Sequence, residues 1–138
     1  MTAMASHRLQ EAVYTALSED TNLQAYVSGV YDEAPLNASY PYVAMGDTTV
    51  RPTDLKDRGG ANINFDITVW SNDPSQMQVK ELLEKVDSAL DNAELPLIGY
   101  DLITLRLQNA GVVRQWNEEG SLYRGRLTYG ALVYALES

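Results

Sequence analysis

The chain lacks cysteine and has almost no histidine, and these absences remove most catalytic chemistry. Its 138 residues contain no Cys and a single His, His7. Without thiols, disulfide bonds, thiolate nucleophiles and cysteine-ligated metal sites are excluded. One histidine near the N-terminus cannot complete a nucleophile–histidine–acid set, and it supplies only one ligand of a metal site. We therefore assign no catalytic, cofactor-binding or metal-binding residue, and we expect a protein that is not an enzyme.

Long apolar runs and positive charge are also scarce. No apolar stretch has the length of a bilayer span, and the N-terminus lacks the apolar run of a signal peptide. We thus expect a soluble chain of the cytoplasm, or of something assembled there, with no membrane partner. Ten Lys and Arg against 19 Asp and Glu give a net charge of −9, which argues against tight binding to nucleic acid. The acidic balance is typical of a soluble protein, and it does not exclude a surface that lets DNA slide past.

The clearest pattern lies in residues 63–90. Apolar residues alternate with polar ones over 62–70, which predicts a half-buried strand. A helical period follows and predicts a helix over 74–92, with Asp73 as its cap, Pro74 in its first turn and Gln76 as a capping-box partner. One stripe of this helix carries its apolar residues: Val79, Leu82, Leu83, Val86 and Leu90.

The remaining chain predicts two further helices and three further strands. A helix over 6–18 has Ser6 as a cap, and a second short helix is capped by Asp20–Asn22 and ended by Gly29. A strand runs from Tyr40 to about Val50, and a charged loop occupies 51–61. After the central helix, a strand over about 102–115 has a bulge at Gly111, 116–120 forms a turn, and a last strand covers 121–136.

This order, α-α-β-β-α-β-β, predicts one α+β domain over residues 1–138. The expected architecture is a small antiparallel sheet of about four strands with helices packed on one side. At this length, and with 45% hydrophobic residues, the chain has enough apolar side chains for an ordinary core.

Charges of opposite sign fall on different predicted surfaces. Arg106, Arg124 and Arg126 lie in the C-terminal strands, whereas Glu81, Glu84 and Asp87 lie on the central helix. Complementary patches of this kind suit head-to-tail contacts between identical copies. An ordinary solvent-exposed face, or chance clustering, fits the same pattern.

Several segments resemble one family of small proteins from the tail-gene clusters of long-tailed phages, prophages and gene-transfer agents. The likeness spans roughly residues 8–135 and is carried by the order and spacing of its motifs. The matching segments are Leu9–Ser18, Val30–Pro35, Tyr40–Gly46, Phe65–Ser71 and the Val79–Leu90 helix. The family is that of the tail completion or tail terminator proteins, earlier catalogued as domain of unknown function 3168.

The resemblance implies structural work in a virion. Such proteins form a ring, usually of six copies, at the head-proximal end of the tail tube, where they stop tube growth and meet the connector proteins of the head. DNA passes through the ring during ejection without specific binding. The family brings no catalytic residues and no cofactor, and its fold is a small antiparallel sheet with helices on one side.

Two kinds of contact site follow as hypotheses from this resemblance and the charges. The ring interface would join Arg106, Arg124 and Arg126 of one copy to Glu81, Glu84 and Asp87 of the next. The 51–61 loop would contact the tail tube, through Arg51, Asp54, Lys56, Asp57 and Arg58. Alternatives are another head–tail connector protein, the tube protein itself, or a stand-alone small α+β ligand-binding domain.

Overall fold

The computed structural model describes residues 4–55 and 57–136, and for Asn117 the backbone alone. The described part forms an α+β domain whose elements follow the predicted order, with one additional short strand. Its elements are α1 (Ser6–Glu19), α2 (Thr21–Gln24), β1 (Val30–Tyr31), β2 (Tyr42–Pro52), β3 (Gly60–Ser71), α3 (Gln76–Leu90), β4 (Tyr100–Asn117) and β5 (Gly120–Ala135).

The sheet has the strand order β1-β2-β3-β5-β4, so the described residues form five strands rather than the expected four. Strand β1 runs parallel to β2, and the other neighbours are antiparallel, which makes the sheet mixed. The sequence missed β1 because two residues are too short to show a period of two. Tertiary contact defines this strand instead, including the hydrogen bond from the Val43 N–H to the Gly29 carbonyl (3.1 Å).

The core lies between the helices and one face of the sheet. Inward residues of β3 and β5 alternate with outward ones as predicted, and the apolar stripe of α3 is buried against them. Helix α3 packs closely because β5 carries Gly125 beneath it. A Cβ there would lie 2.9 Å from Val79 Cγ2 and from Leu83 Cδ2. Burial of each large apolar side chain in this layer contributes about 1.5–3 kcal/mol.

Tyr129 of β5 joins the core to α3. It is fully buried, its ring stacks on Phe65 with centroids 5.5 Å apart, and its hydroxyl donates a hydrogen bond to Asp87 Oδ1 (2.9 Å). Burial raises the pKa of the Tyr129 hydroxyl above its ordinary value, and the hydrogen bond to Asp87 raises it further. This contact fixes the position of α3 along the sheet.

The predicted start of helix α1 and the predicted cap of the short helix were right, whereas the cap of α1, the cap and bounds of α3 and the end of the short helix were wrong. Helix α3 begins later than expected because Asp73 Oδ1 accepts from the Ser75 N–H (2.8 Å), forming a turn, and Ser75 then caps the helix by accepting from Met77 (3.1 Å). Gln76 is the first helical residue and therefore not a capping-box partner. Helix α1 follows Ala5 without a side-chain cap, so Ser6 lies inside it.

The short helix is capped by Asp20, as predicted, through a hydrogen bond from the Leu23 N–H (2.9 Å). This helix ends at Gln24, before Gly29, because the Tyr26 N–H bonds the Leu23 carbonyl (3.0 Å) and closes the last turn.

The predicted bulge at Gly111 was also wrong. The register of β4 against β5 shifts between Leu102 and Thr104 and again between Leu107 and Asn109. The second shift follows a fixed stretch of β4, since Leu107 N–H donates to Asp91 Oδ1 (2.8 Å) and Leu105 O accepts from Asn92 (2.7 Å).

The β4–β5 turn is tighter than the 116–120 span that the sequence indicated. Strand β4 continues through Asn117, so only Glu118 and Glu119 connect it to β5. Gly120 supplies the positive φ of 119° that this short connection needs.

We expect Tyr129→Phe to lower the free energy of unfolding by about 1–2 kcal/mol, because it removes a buried hydroxyl and the hydrogen bond to Asp87. Urea denaturation measures this value. Tyr14→Phe, which alters an exposed tyrosine on α1, is the matched control and should change this free energy by less than about 0.5 kcal/mol.

The Tyr129→Phe variant also predicts how stability depends on pH. The pKa of Tyr129 is higher in the folded chain than in the unfolded chain, where it has the ordinary value of 10.0. The stabilisation by the neutral hydroxyl is therefore complete below pH 10 and is lost as the pH rises beyond it. The wild-type chain should therefore lose up to about 1.4 kcal/mol per pH unit relative to Tyr129→Phe above pH 10. Equal losses in both chains would contradict this assignment.

Candidate interaction surfaces

The sheet face turned away from the helices, called the outer face here, carries three arginines. Arg124 and Arg126 alternate with the buried residues of β5, and Arg106 on β4 lies opposite Gly130 of the same face. Arg124 lies between Trp70 of β3 and Val113 of β4 in the register. The strand period therefore brings all three arginines to one face.

An open groove of about 360 Å³ crosses this outer face. Arg124 and Arg126 line it on the β5 side, and acids line it on the β1–β2 side. Between them, Asp66 accepts a hydrogen bond from the Thr128 hydroxyl (2.6 Å). Arg124 Nε is buried and has no hydrogen-bond partner among the described residues, so the groove retains an unsatisfied donor. The acids of the opposite rim are Asp32, Glu33 and Asp47.

Aromatic side chains form the end wall of the groove and stiffen it. Tyr42 stacks on Tyr40 and on Trp70, with centroids 5.5 Å and 6.4 Å apart, and meets Tyr31 edge-on at 5.8 Å. Burial raises the pKa of Tyr42, and Tyr40 and Tyr31 raise it further. Sequence reasoning missed this cluster, although the spacing Tyr40-x-Tyr42 placed two aromatic rings on one strand face.

Of the predicted acidic patch, two members remain exposed together. Glu81 and Glu84 line a hollow of about 270 Å³ on the solvent side of α3, next to Lys85 and Asp20. Asp87 is only partly exposed, and it accepts the hydrogen bond from Tyr129 in the core.

The basic patch is divided in a similar way. Arg124 and Arg126 line the groove, whereas Arg106 Nε lies 3.5 Å from Asp91 Oδ1 at the sheet edge. Arg106 therefore has an acidic partner within its own chain, and the groove pair carries the available positive charge of this face.

The charged loop is shorter than predicted, because Arg51 ends up in β2 and Gly60 in β3, leaving residues 53–59 as the connection. Arg58 anchors this connection. Its guanidinium donates to the Ala135 carbonyl (2.9 Å) and to Asp101 Oδ2 (2.7 Å), and it lies 5.3 Å from the centre of the Tyr134 ring.

The other predicted loop residues have different surroundings. Asp54 Oδ1 accepts from the Gly60 N–H (2.9 Å), which closes the connection from within. Arg51 and Asp57 are exposed. Lys56 lies outside the described residues.

Neither a metal cluster nor a bilayer-spanning helix occurs within the ranges that the structure describes, 4–55 and 57–136. No group of three or more His, Asp or Glu side chains is placed there to hold a metal ion. No helix of this part is long and apolar enough to cross a membrane.

We expect Arg58→Met to lower the free energy of unfolding by about 1–3 kcal/mol, because the apolar chain keeps its packing but loses the charged hydrogen bonds to Ala135 and Asp101. Arg51→Met, at an exposed position of β2, is the control and should cost less than about 0.5 kcal/mol. Chemical denaturation compares the two variants. Equal effects would mean that Arg58 does not anchor the loop.

Comparison with known proteins places this domain among virion components. A family model described as "Tail completion protein gp17" matches residues 11–134. The tail completion protein gp17 of Bacillus phage SPP1 is 28% identical over 110 residues, which are 80% of this chain and 81% of that protein.

Solved structures agree with this match. A chain from the virion of a native gene transfer agent particle has a TM-score of 0.86 and 29% identity, covering 97% of this chain and 100% of that one. The structure of SPP1 gp17 shares the fold, with a TM-score of 0.61, 23% identity, and coverage of 99% and 94%. The matched family consists of structural virion proteins and not of enzymes. Because its model spans nearly the whole domain, the chain belongs to the gp17 family of tail completion proteins.

Proposed function

We propose that copies of this chain close into a ring at the head-proximal end of a phage-like tail tube. The ring ends tube growth and joins the tail to the connector proteins of the head, and its subunits are made in the cytoplasm of the host. The family membership supports a structural tail role. The number of six copies rests on the family resemblance alone.

The observation that carries this proposal is an arginine-lined groove wall on one face of the domain and an acidic surface on the other. Arg124 and Arg126 line the outer face of the sheet, whereas Glu81 and Glu84 lie on the solvent side of α3, which covers the other face. A ring needs two different complementary patches on each subunit, so that every copy offers one patch to each neighbour. These two patches meet that requirement.

The groove of the outer face favours an occupied state. Arg124 Nε is buried without a partner among the described residues, and an unsatisfied buried donor costs about 1–3 kcal/mol. A carboxylate from the α3 surface of the neighbouring copy would bring acceptors to the guanidinium groups of Arg124 and Arg126, which line the groove. The stacked rings of Tyr42 and Trp70 hold the groove in shape before the neighbour arrives.

The ring must also contact the tail tube and let DNA pass. We assign the tube contact to the 53–59 connection and the adjoining end of β2, where Arg51 and Asp57 are exposed. The anchored Arg58 holds this connection in a fixed position, which lowers the entropic cost of docking. With a net charge of −9, subunits around a lumen would repel the DNA backbone and let it pass without binding.

Charge reversal tests the ring interface. We expect Arg126→Glu to abolish ring formation, because it places like charges at the contact, and we expect Glu84→Lys in the same chain to restore it at least in part. Native mass spectrometry at low ionic strength, with tail ends or purified tubes added, measures the assembly.

Lys80→Glu is the matched control for this experiment, since it makes the same change of charge at an exposed position of α3. It should leave the ring intact. Rings that form normally from Arg126→Glu chains would refute the proposed interface. A wild-type chain that stays monomeric on tube ends, together with failure of Arg126→Glu, its double variant with Glu84→Lys and Lys80→Glu to assemble, would refute the ring itself.

Loss of the exposed loop charges tests the tube contact. We expect the double variant Arg51→Ala, Asp57→Ala to fold and to form rings, but to bind purified tail tubes at least tenfold more weakly. Co-sedimentation with tubes measures this binding. The double variant Glu118→Ala, Glu119→Ala, at the opposite end of the sheet, removes charges from another exposed turn and should bind as the wild type does. Equal binding by both double variants would remove the loop from the tube contact.

A further inference from the structure

Strand β4 is an edge strand whose C-terminal half is uncovered. It stands last in the sheet order, so only β5 pairs with it along its length. The segment after α3 covers the other side at Leu105 and Leu107, through Asn92 and Asp91. Beyond Leu107, up to the end of β4, no backbone partner lies on that side within the described part of the chain.

The hydrogen-bonding pattern identifies which backbone groups point outward. Leu107 N–H points away from β5, because it donates to Asp91, and Leu107 faces Tyr129 in the register. In an antiparallel pair of strands, hydrogen-bonded and non-hydrogen-bonded residue pairs alternate. Every β4 residue that faces an odd-numbered β5 residue, from Tyr129 to Ser121, therefore also directs its backbone N–H and C=O groups away from β5. Across the second register shift these residues are Ala110, Val112, Arg114 and Trp116, which face Leu127, Gly125, Tyr123 and Ser121.

Beyond the register shift at Leu107–Asn109, this open edge lacks the features that normally protect such strands. Residues 109–116 contain no proline and a single charged residue, Arg114, whose guanidinium is held beside the rings of Trp116 and Tyr123. The apolar side chains of Val113 and Trp116 are 47% and 70% exposed. Exposed edges with so little charge are templates for pairing with another strand.

The opposite edge of the sheet is protected by comparison. Strand β1 covers Val43 and Ala44 of β2, a register shift follows between Met45 and Thr48, and the strand ends at Pro52, which has no N–H to offer. A shift, a proline and a covering strand each block edge pairing. The two edges of one sheet are therefore built differently, and only β4 is left available.

We infer that the uncovered half of β4 receives an extended segment of a different virion protein, which adds a sixth strand to this sheet. A second copy of the chain is the weaker occupant. The β2 edge of a second copy is blocked. Pairing of two β4 edges would give a two-fold dimer, which does not fit the proposed ring, and the exclusion of a second copy therefore rests on the proposed function. A strand of another tail or connector protein meets neither obstacle.

The edge also defines the chemistry of the incoming segment. Its backbone must be extended over at least seven residues to match the outward groups of Ala110 to Trp116. Small or β-branched residues suit the flat surface around Gly111 and Val112, and an acidic residue suits the position opposite Arg114. Main-chain hydrogen bonds would supply the affinity, and these side chains the specificity.

Hydrogen–deuterium exchange of the edge amides tests this inference without any variant. In the isolated chain, and in rings of the isolated chain, the amides of residues 110, 112, 114 and 116 should exchange rapidly. In purified particles the exchange rate of these amides should be at least about a hundredfold lower. Rapid exchange in particles would overturn the inference. Slow exchange already in rings of the isolated chain would also overturn it and would identify a second copy as the occupant.

Proline substitution provides the second arm. Ala110→Pro removes one outward N–H and leaves the bonds to β5 in place, so the variant should keep its circular dichroism spectrum and its ring but be lost from particles at least tenfold. Thr48→Pro is the matched control on the protected β2 edge and should enter particles normally.

Two further results separate the possible failures. Normal incorporation of Ala110→Pro would overturn the inference, and if this variant does not fold, Val112→Pro takes its place with the same expected loss. A wild-type chain that forms no ring on tube ends refutes the proposed function, whereas the exchange of the edge amides in particles still decides the edge contact.

Discussion

The packing of helix α3 across β5 is the contact on which the rest of this domain depends. Gly125 lets Val79 and Leu83 approach the strand, and the hydrogen bond from Tyr129 to Asp87 fixes the helix along it. Because all three helices of the described part gather on this face, the opposite face and the far edge of β4 stay uncovered. The surfaces that the domain offers to other molecules are therefore a direct consequence of one-sided burial.

One-sided burial also separates the charges. Residues of β5 alternate between the core and the outer face, so Arg124 and Arg126 emerge on the side without helices, while the acids of α3 emerge on the other side. An arginine pair on one face and an acidic surface on the other suit the head-to-tail contacts of the proposed ring. The groove of the outer face adds a rigid aromatic wall and an unsatisfied donor at Arg124 to this charge pattern.

The sequence was sufficient where a residue period repeats over many positions. The alternation in β3 and the stripe of α3 predicted both elements, and the same alternation predicted that Arg124 and Arg126 share a face. It failed where tertiary contacts decide. Strand β1 has two residues and depends on β2, and the Gly111 bulge was misplaced because Asp91 fixes β4 from outside. The sequence indicated that Arg58 is a surface charge of the loop. Its hydrogen-bond partners, Asp101 and Ala135, are distant in sequence, so no local pattern could predict its role as an anchor. The groove depends on strand order, which no local pattern contains.

Electron microscopy of particles assembled without this chain is the decisive measurement of its role. In the proposed function, the chain is a passive building block that closes the head-proximal end of the tail tube. Particles that lack it should have tails of abnormal length, or finished tails that are not joined to heads, and supplying the chain again should restore normal particles. Tails of normal length that are joined to heads in its absence would contradict the proposed function.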